Sequence, residues 1–157
     1  MKALKEETKM KFNGSFMVNK GNDEVSLFFK DLKNVIPCLP GVYDLEYGDK
    51  IKCKLKLDIS DAGISAMNTI SGRMTFTYNY SGNNIKIDGD GRIAGSKIQF
   101  RINIGLTPAE QETKIDWESD FNFGMIVKIM GSDRLNSVSL SNINSTIKCF
   151  KDKINAL

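Results

Sequence analysis

The stretch Ile36-Pro37-Cys38-Leu39-Pro40-Gly41-Val42-Tyr43-Asp44-Leu45-Glu46 decides how this chain is read. Its prolines fix φ, remove backbone donors and hold the residue before each in extended conformations. Pro40-Gly41 is a turn pair, with Gly41 free to take a left-handed conformation. Upstream, Val25, Leu27, Phe28, Leu32, Val35 and Ile36 recur at helical spacing. They follow Gly21-Asn22-Asp23-Glu24, which supplies a turn, an N-cap and early acidic residues. Downstream the apolar period drops to two at Tyr43, Leu45 and Tyr47. Helix, Pro-Gly corner, then strands near an N-terminus is an order that belongs to few folds.

Strict alternation extends this pattern in both directions. Met10, Phe12, Gly14, Phe16 and Val18 predict a half-buried strand before the helical segment. After the corner, Ile51, Cys53, Leu55, Leu57 and Ile59 alternate with Lys52, Lys54, Lys56 and Asp58. Gly63 marks a bend, and Met74, Phe76, Tyr78 and Tyr80 make the next strand. Ser81-Gly82-Asn83-Asn84 signals a hairpin. Ile85 and Ile87 open a strand in which Gly89, Gly91 and Gly95 predict bulges or bending. Ile98 to Leu106 and Ile115 to Phe123 alternate in the same way. Past Gly124 the spacing becomes helical through Ile126, Ile129 and Met130, loosens at Gly131, and continues with Leu140, Ile143, Ile147, Phe150 and Ile154.

About seven antiparallel strands with one apolar face need a cover, and only the last helix is long enough to supply it. The expected fold is therefore α+β: a curved antiparallel sheet wrapped around a long C-terminal helix, with a short helical insertion after strand 1. That is the helix-grip architecture. Residues 1–8 read as a charged flexible leader and 9–157 as one domain.

Composition narrows the function classes. The chain has 157 residues, 41% hydrophobic and 26% charged, enough for a real core. A net charge of +3 does not point to nucleic acid. No apolar run approaches the ~20 residues needed to cross a bilayer, and the N-terminus lacks a signal-peptide pattern, so the cytoplasm is expected. Cys38, Cys53 and Cys149 are widely spaced and odd in number, and read as buried reduced thiols. The chain has no histidine, which removes the commonest general base and metal ligand.

On these residues the chain resembles the START-like superfamily and, more narrowly, the CoxG family of carbon monoxide dehydrogenase accessory proteins. Leu39-Pro40-Gly41-Val42-Tyr43-Asp44-Leu45-Glu46 matches that family's Ile-Pro-Gly, a short spacer, then Leu-Glu. Gly89, Gly91 and Gly95 fit as well, as does Gly131-Ser132-Asp133-Arg134-Leu135 before a closing stretch ending in Cys149-Phe150. The resemblance implies an accessory protein of molybdenum hydroxylases of the carbon monoxide dehydrogenase type, concerned with their maturation or membrane recruitment and with holding a lipophilic quinone. Some members carry a membrane-attaching tail. This sequence stops at Leu157 after the helix, so at most peripheral membrane contact is expected.

The expected site lies between the concave sheet face and the helix. Alternation points Met74, Phe76, Tyr78, Ile87, Phe100 and Ile102 into it, together with Trp117, Ser119 and Phe121; Ile126 and Met130 face them from the helix. Small inward residues, Gly14, Gly89, Gly91 and Ser119, are expected to leave volume unfilled, and an apolar void favours an apolar guest. Burying about 200 Å² of a guest would contribute about 5 kcal/mol before ordering costs. Lys52, Lys54 and Lys56 form a basic stripe, with Arg73 nearby, for an acidic protein face or anionic lipid; the plainer reading is a solvated sheet face whose lysines discourage aggregation. Lys97 and Arg101 are expected beside Asp116, Glu118 and Asp120. Asp88-Gly89-Asp90-Gly91 lacks the closing Glu of a calcium loop, so no metal site is expected.

The expected function is thus non-enzymatic binding of a hydrophobic small molecule, a quinone or lipid, with no covalent cofactor, no catalytic residue and no nucleic acid. Molybdenum hydroxylase subunits are the implied partners. The rival readings are an assembly factor with an incidental cavity and a cyclase- or hydrolase-like enzyme of the same superfold.

Overall fold

The computed structural model describes residues 9–59 and 69–157. The expected leader at 1–8 and the bend at Gly63 lie outside the described residues. Seven strands form one antiparallel sheet: β1 (Lys9–Val18), β2 (Val42–Glu46), β3 (Ile51–Asp58), β4 (Thr69–Ser81), β5 (Asn84–Ile93), β6 (Ser96–Ala109) and β7 (Glu112–Asn122). Their spatial order is β1-β7-β6-β5-β4-β3-β2. Every link from β2 to β7 is therefore a neighbour connection, and only β1 reaches across to pair with the last strand, Phe12 opposite Ser119 and Gly14 opposite Trp117. Period-two side chains face the core from β3 (Ile51, Cys53, Leu55) through β5 (Ile85, Ile87) to β7 (Ile115, Ser119).

The insertion after β1 is not one helix. Helix α1 (Asn22–Lys30) gives way at Asp31, which stands in an extended conformation and caps α2 (Leu32–Val35) by accepting from the Lys33 N–H at 3.0 Å. A 3-10 turn (Ile36–Cys38) carries Pro37 into the corner. Helix α1 buries Val25, Phe28 and Phe29, whereas Leu27, expected in the same stripe, is exposed. Gly41 turns the corner at φ 71°, and a side chain there would overlap the Lys56 carbonyl. Its own carbonyl accepts from the Lys56 N–H at 2.9 Å, which locks the corner to β3.

The closing segment is broken as well. Gly131, at φ 82°, separates α3 (Ile126–Met130) from α4 (Ser132–Asn155). Leu135 and Val138 are buried near the start of α4, and Phe150 and Ile154 near its end, where Phe150 packs edge-on to Phe28 and Phe29. Leu140, expected in the apolar stripe, is 43% exposed. A bent sheet gripping α4 is the architecture expected from the alternation.

The thiol expectation is overturned for two cysteines. Cys38 and Cys149 are joined in a disulfide, with Cα atoms 5.6 Å apart across a sequence separation of 111. It ties the end of the 3-10 turn to α4. Spacing along the chain could not show this, because the pairing depends on how the helix lies on the corner. Cys53 stays free and buried, and burial pushes its thiol pKa up.

Candidate ligand-binding site

The gap between sheet and α4 holds a cavity of about 200 Å³. Its floor is built chiefly from alternate residues of β4 to β7, Met74 and Phe76 on β4, Ile87 on β5, Phe100 and Ile102 on β6, Trp117, Ser119 and Phe121 on β7, with Leu55 and Leu57 of β3 and Phe16 of β1 at its sides. Rings form a continuous run across this floor, with centroids 5.5 Å apart for both Phe76–Phe100 and Phe100–Phe121, and 5.3 Å for Phe121–Phe123. Leu39, Pro40 and Val42 close one side, so the Pro-Gly corner is part of the wall.

Helix α4 supplies the roof through Ser139, Asn142, Ile143, Thr146 and Ile147. None of these is buried, although the residues that anchor the helix at either end are. Ile143 and Ile147 belong to the expected apolar stripe, but sequence pattern alone misses Ser139, Asn142 and Thr146, which read as breaks in it. Polar residues on the inward face between two apolar anchors are the signal that marks a roof over a hollow.

Three predicted residues do not line the cavity. Tyr78 is 41% exposed and stacks on Tyr80, with ring centroids 6.0 Å apart. The register explains this: β3 ends at Ile51, opposite Phe76, so β4 runs on past it and Tyr78 has no strand on that side. Ile126 and Met130 are buried, but in the core beneath α3, because the break at Gly131 takes that short helix out of line with the roof.

The origin of the hollow also differs from expectation. Phe100 covers the space a side chain at Gly89 would take, and Gly14 lies 3.0–3.2 Å from the Trp117 ring, measured from where its Cβ would stand. These glycines make room for rings on neighbouring strands. The hollow lies instead beneath the half-buried span of α4 from Ser139 to Ile147.

The lining is almost wholly apolar. No described residue on it is an acid, a base, a tyrosine or a cysteine. Ser119 Oγ makes only a 3.5 Å contact with the Phe12 carbonyl, and the Thr146 hydroxyl donates to the Asn142 carbonyl at 2.9 Å. Trp117 Nε1 is buried with no hydrogen-bond partner among the described residues. An unpaired buried donor is costly and marks a place where an acceptor would be favoured.

Lys52, Lys54 and Lys56 all stand exposed on the outer face of β3. Lys54 pairs with Asp44 at 3.3 Å and lies opposite Arg73. Arg101 is opposite Asp120 as expected, but its guanidinium bonds to Asp88 of β5 at 2.8 Å. Lys97 lies past the end of the β6–β7 pairing, which begins at Gln99. Gly95, expected as a bulge, sits with Ala94 in the β5–β6 turn, both at positive φ. Among the described residues no group of three or more acidic or cysteine side chains is placed to hold a metal, and no helix is long and apolar enough to cross a membrane.

No curated protein matches the chain. Among solved structures, a conserved protein from Geobacillus kaustophilus is similar at TM-score 0.76 and 22% identity, covering 92% of this chain and 95% of that one. A START superfamily protein from Mycobacterium smegmatis aligns at TM-score 0.61 and 10% identity, covering 93% and 97%. The Zhui aromatase/cyclase from Streptomyces sp. R1128 aligns at TM-score 0.65 and 11% identity, covering 93% of both chains. At these identities the likeness establishes the START-like fold. The sequence model of one family spans residues 14–155, from within β1 to the last turn of α4. By that match and this fold, the chain belongs to the carbon monoxide dehydrogenase CoxG family.

Proposed function

We propose that the protein is a non-enzymatic carrier of a lipophilic small molecule, a quinone or lipid, held between the sheet and α4. The observation that carries this reading is an apolar cavity with no ionisable lining residue among those described. General acid–base or nucleophilic chemistry needs such a group within hydrogen-bond reach of the reacting atom. Apolar cavities of ~150 Å³ stay dry and take up a single ring, so about 200 Å³ suits a compact ring head or part of an acyl chain. It is smaller than the usual ~300–1,000 Å³ of a ligand pocket, so a larger guest requires α4 to lift.

The body of the guest would lie on the Phe76–Phe100–Phe121 floor. Trp117 Nε1 would donate to a carbonyl oxygen, and Asn142 would meet a polar edge from the roof. Family membership supports a role beside a molybdenum hydroxylase of the carbon monoxide dehydrogenase type, to which the carrier would bring its guest.

Trp117 is the only tryptophan in the chain, so it reports directly on the cavity. Titration with a short-chain quinone is expected to quench its fluorescence saturably, and solvent extraction of the purified protein to recover a hydrophobe near one per chain. An unsaturable response together with an empty extract would overturn the reading.

A further inference from the structure

The roof and wall of the cavity meet at a seam that carries one covalent bond. Leu39 and Pro40 line the wall directly after Cys38, and Thr146, Ile147 and Phe150 line the roof around Cys149. Thr146 and Cys149 stand at i and i+3, so they share one face of α4. Neither cysteine is part of the lining, which puts the bond at the lip of the cavity. Leu39, Pro40, Thr146 and Ile147 are all half-buried, so both lips reach solvent. Among the described residues no hydrogen bond or ion pair crosses from the 36–42 corner to α4, and the Thr146 hydroxyl donates within its own helix. Packing aside, the disulfide holds the lips together.

The end of α4 has other anchors. Phe150 packs edge-on to Phe28 and Phe29, Ile154 is fully buried, and Asn155 Oδ1 accepts from the Asn19 N–H at 2.9 Å. These lie beyond Cys149, whereas the nearest buried residue before it is Val138. Opening the bond therefore leaves the helix end in place and frees the span from Ser139 to Ile147 to part from the corner. A cavity of about 200 Å³ passes a guest only when its edges part.

We infer that the Cys38–Cys149 bond is a redox latch on the cavity: closed, it keeps a guest in, and opened by a dithiol reductant of the thioredoxin type, it lets the guest go. This adds a means of release to the carrier reading and rests on it. Cys149 is half-buried and Cys38 is buried, so the incoming thiolate attacks Cys149 Sγ. Cys38 leaves as a thiolate and takes up a proton. The second thiol of the reductant then displaces Cys149, whose sulfur gains a proton in turn. Two electrons and two protons pass to the protein, which ends as two thiols, and the reductant ends as a disulfide.

The test compares the oxidised full chain with the same protein reduced and desalted under nitrogen, and with Cys38→Ser plus Cys149→Ser. The probe is N-phenyl-1-naphthylamine, a neutral fluorophore that does not exchange electrons with thiols. Its release into excess cyclodextrin is expected to be about tenfold faster or more from the reduced protein and from the serine double variant. Reductant should not change release from that variant. Cys53→Ser should release as slowly as the oxidised parent and quicken on reduction. Hydrogen exchange without probe should quicken in residues 139–147 of α4 and hold steady in residues 98–106 of β6. Circular dichroism should be the same for every form. Exchange rising equally in α4 and β6, or loss of the fold on reduction, would make the bond a general brace and overturn the inference. Probe uptake with release indifferent to the bond would remove the latch alone. Failure of every form to take up probe would remove the carrier reading and the latch with it.

Discussion

Cys149 of α4 is bonded to Cys38 at the end of the 3-10 turn, so the helix that roofs the cavity is fastened to the corner that walls it. Protein isolated without reductant and then denatured should show one reactive thiol, Cys53, and three after reduction. Opening this 111-residue loop, by reduction or Cys149→Ser, should cost about 2–5 kcal/mol in urea unfolding. Such bonds persist mainly in oxidising compartments, which runs against the cytoplasmic location expected from the N-terminus. Thiol counting on protein trapped directly from cells decides between the two.

Phe100 occupies the space above Gly89, so Gly89→Ala drives a methyl group into a ring. The expected loss is about 1–3 kcal/mol, typical of overpacking, read as a lower melting temperature. Adding Phe100→Leu should recover part of it, because the smaller side chain can yield.

Cys53 links stability to alkaline pH. Burial raises its folded pKa above the ordinary 9.0, so the native state holds its proton where the unfolded chain has lost it. Stability from this group is whole below the unfolded value and falls as pH climbs from there through the folded value. Unfolding titrations across that range should show the decline, and Cys53→Val should flatten it.

Ile143 hangs from the roof over the cavity. Ile143→Trp should fill much of the hollow and reduce quinone affinity at least about tenfold by calorimetry, while the melting temperature holds or rises. Undiminished affinity would place the guest elsewhere.

Trp117→Phe removes the unpartnered indole donor but keeps an aromatic wall. A guest with a carbonyl should then bind about three- to tenfold more weakly, the worth of one hydrogen bond. The matching hydrocarbon should be unaffected, and calorimetric titration of both compounds separates the outcomes.

The sheet is legible in the sequence because alternation reports directly which face a residue takes. Ile51 to Leu57 and Ile98 to Leu106 are oriented as their period indicates, and the Pro40-Gly41 corner sits where its backbone restrictions put it. Alternation says nothing, however, about where the neighbouring strand stops, which is why Tyr78, on the same register of β4 as Phe76 and opposite buried Ile87, is nonetheless exposed beyond the end of β3. Nor does it report what fills a gap, so Gly89 reads as empty space rather than a seat for Phe100. The Cys38–Cys149 bond and the α3–α4 break depend on how distant segments meet, and local pattern does not carry that information.

Between Val138 and Phe150, α4 is a beam resting on two piers, with no buried side chain along its span. A beam held only at its ends bows under load without disturbing its supports. If the proposed guest binds there, the ceiling height should adjust to it. Selectivity by size should be soft, graded by how far the span flexes, whereas selectivity by shape against the rigid aromatic floor should be sharp.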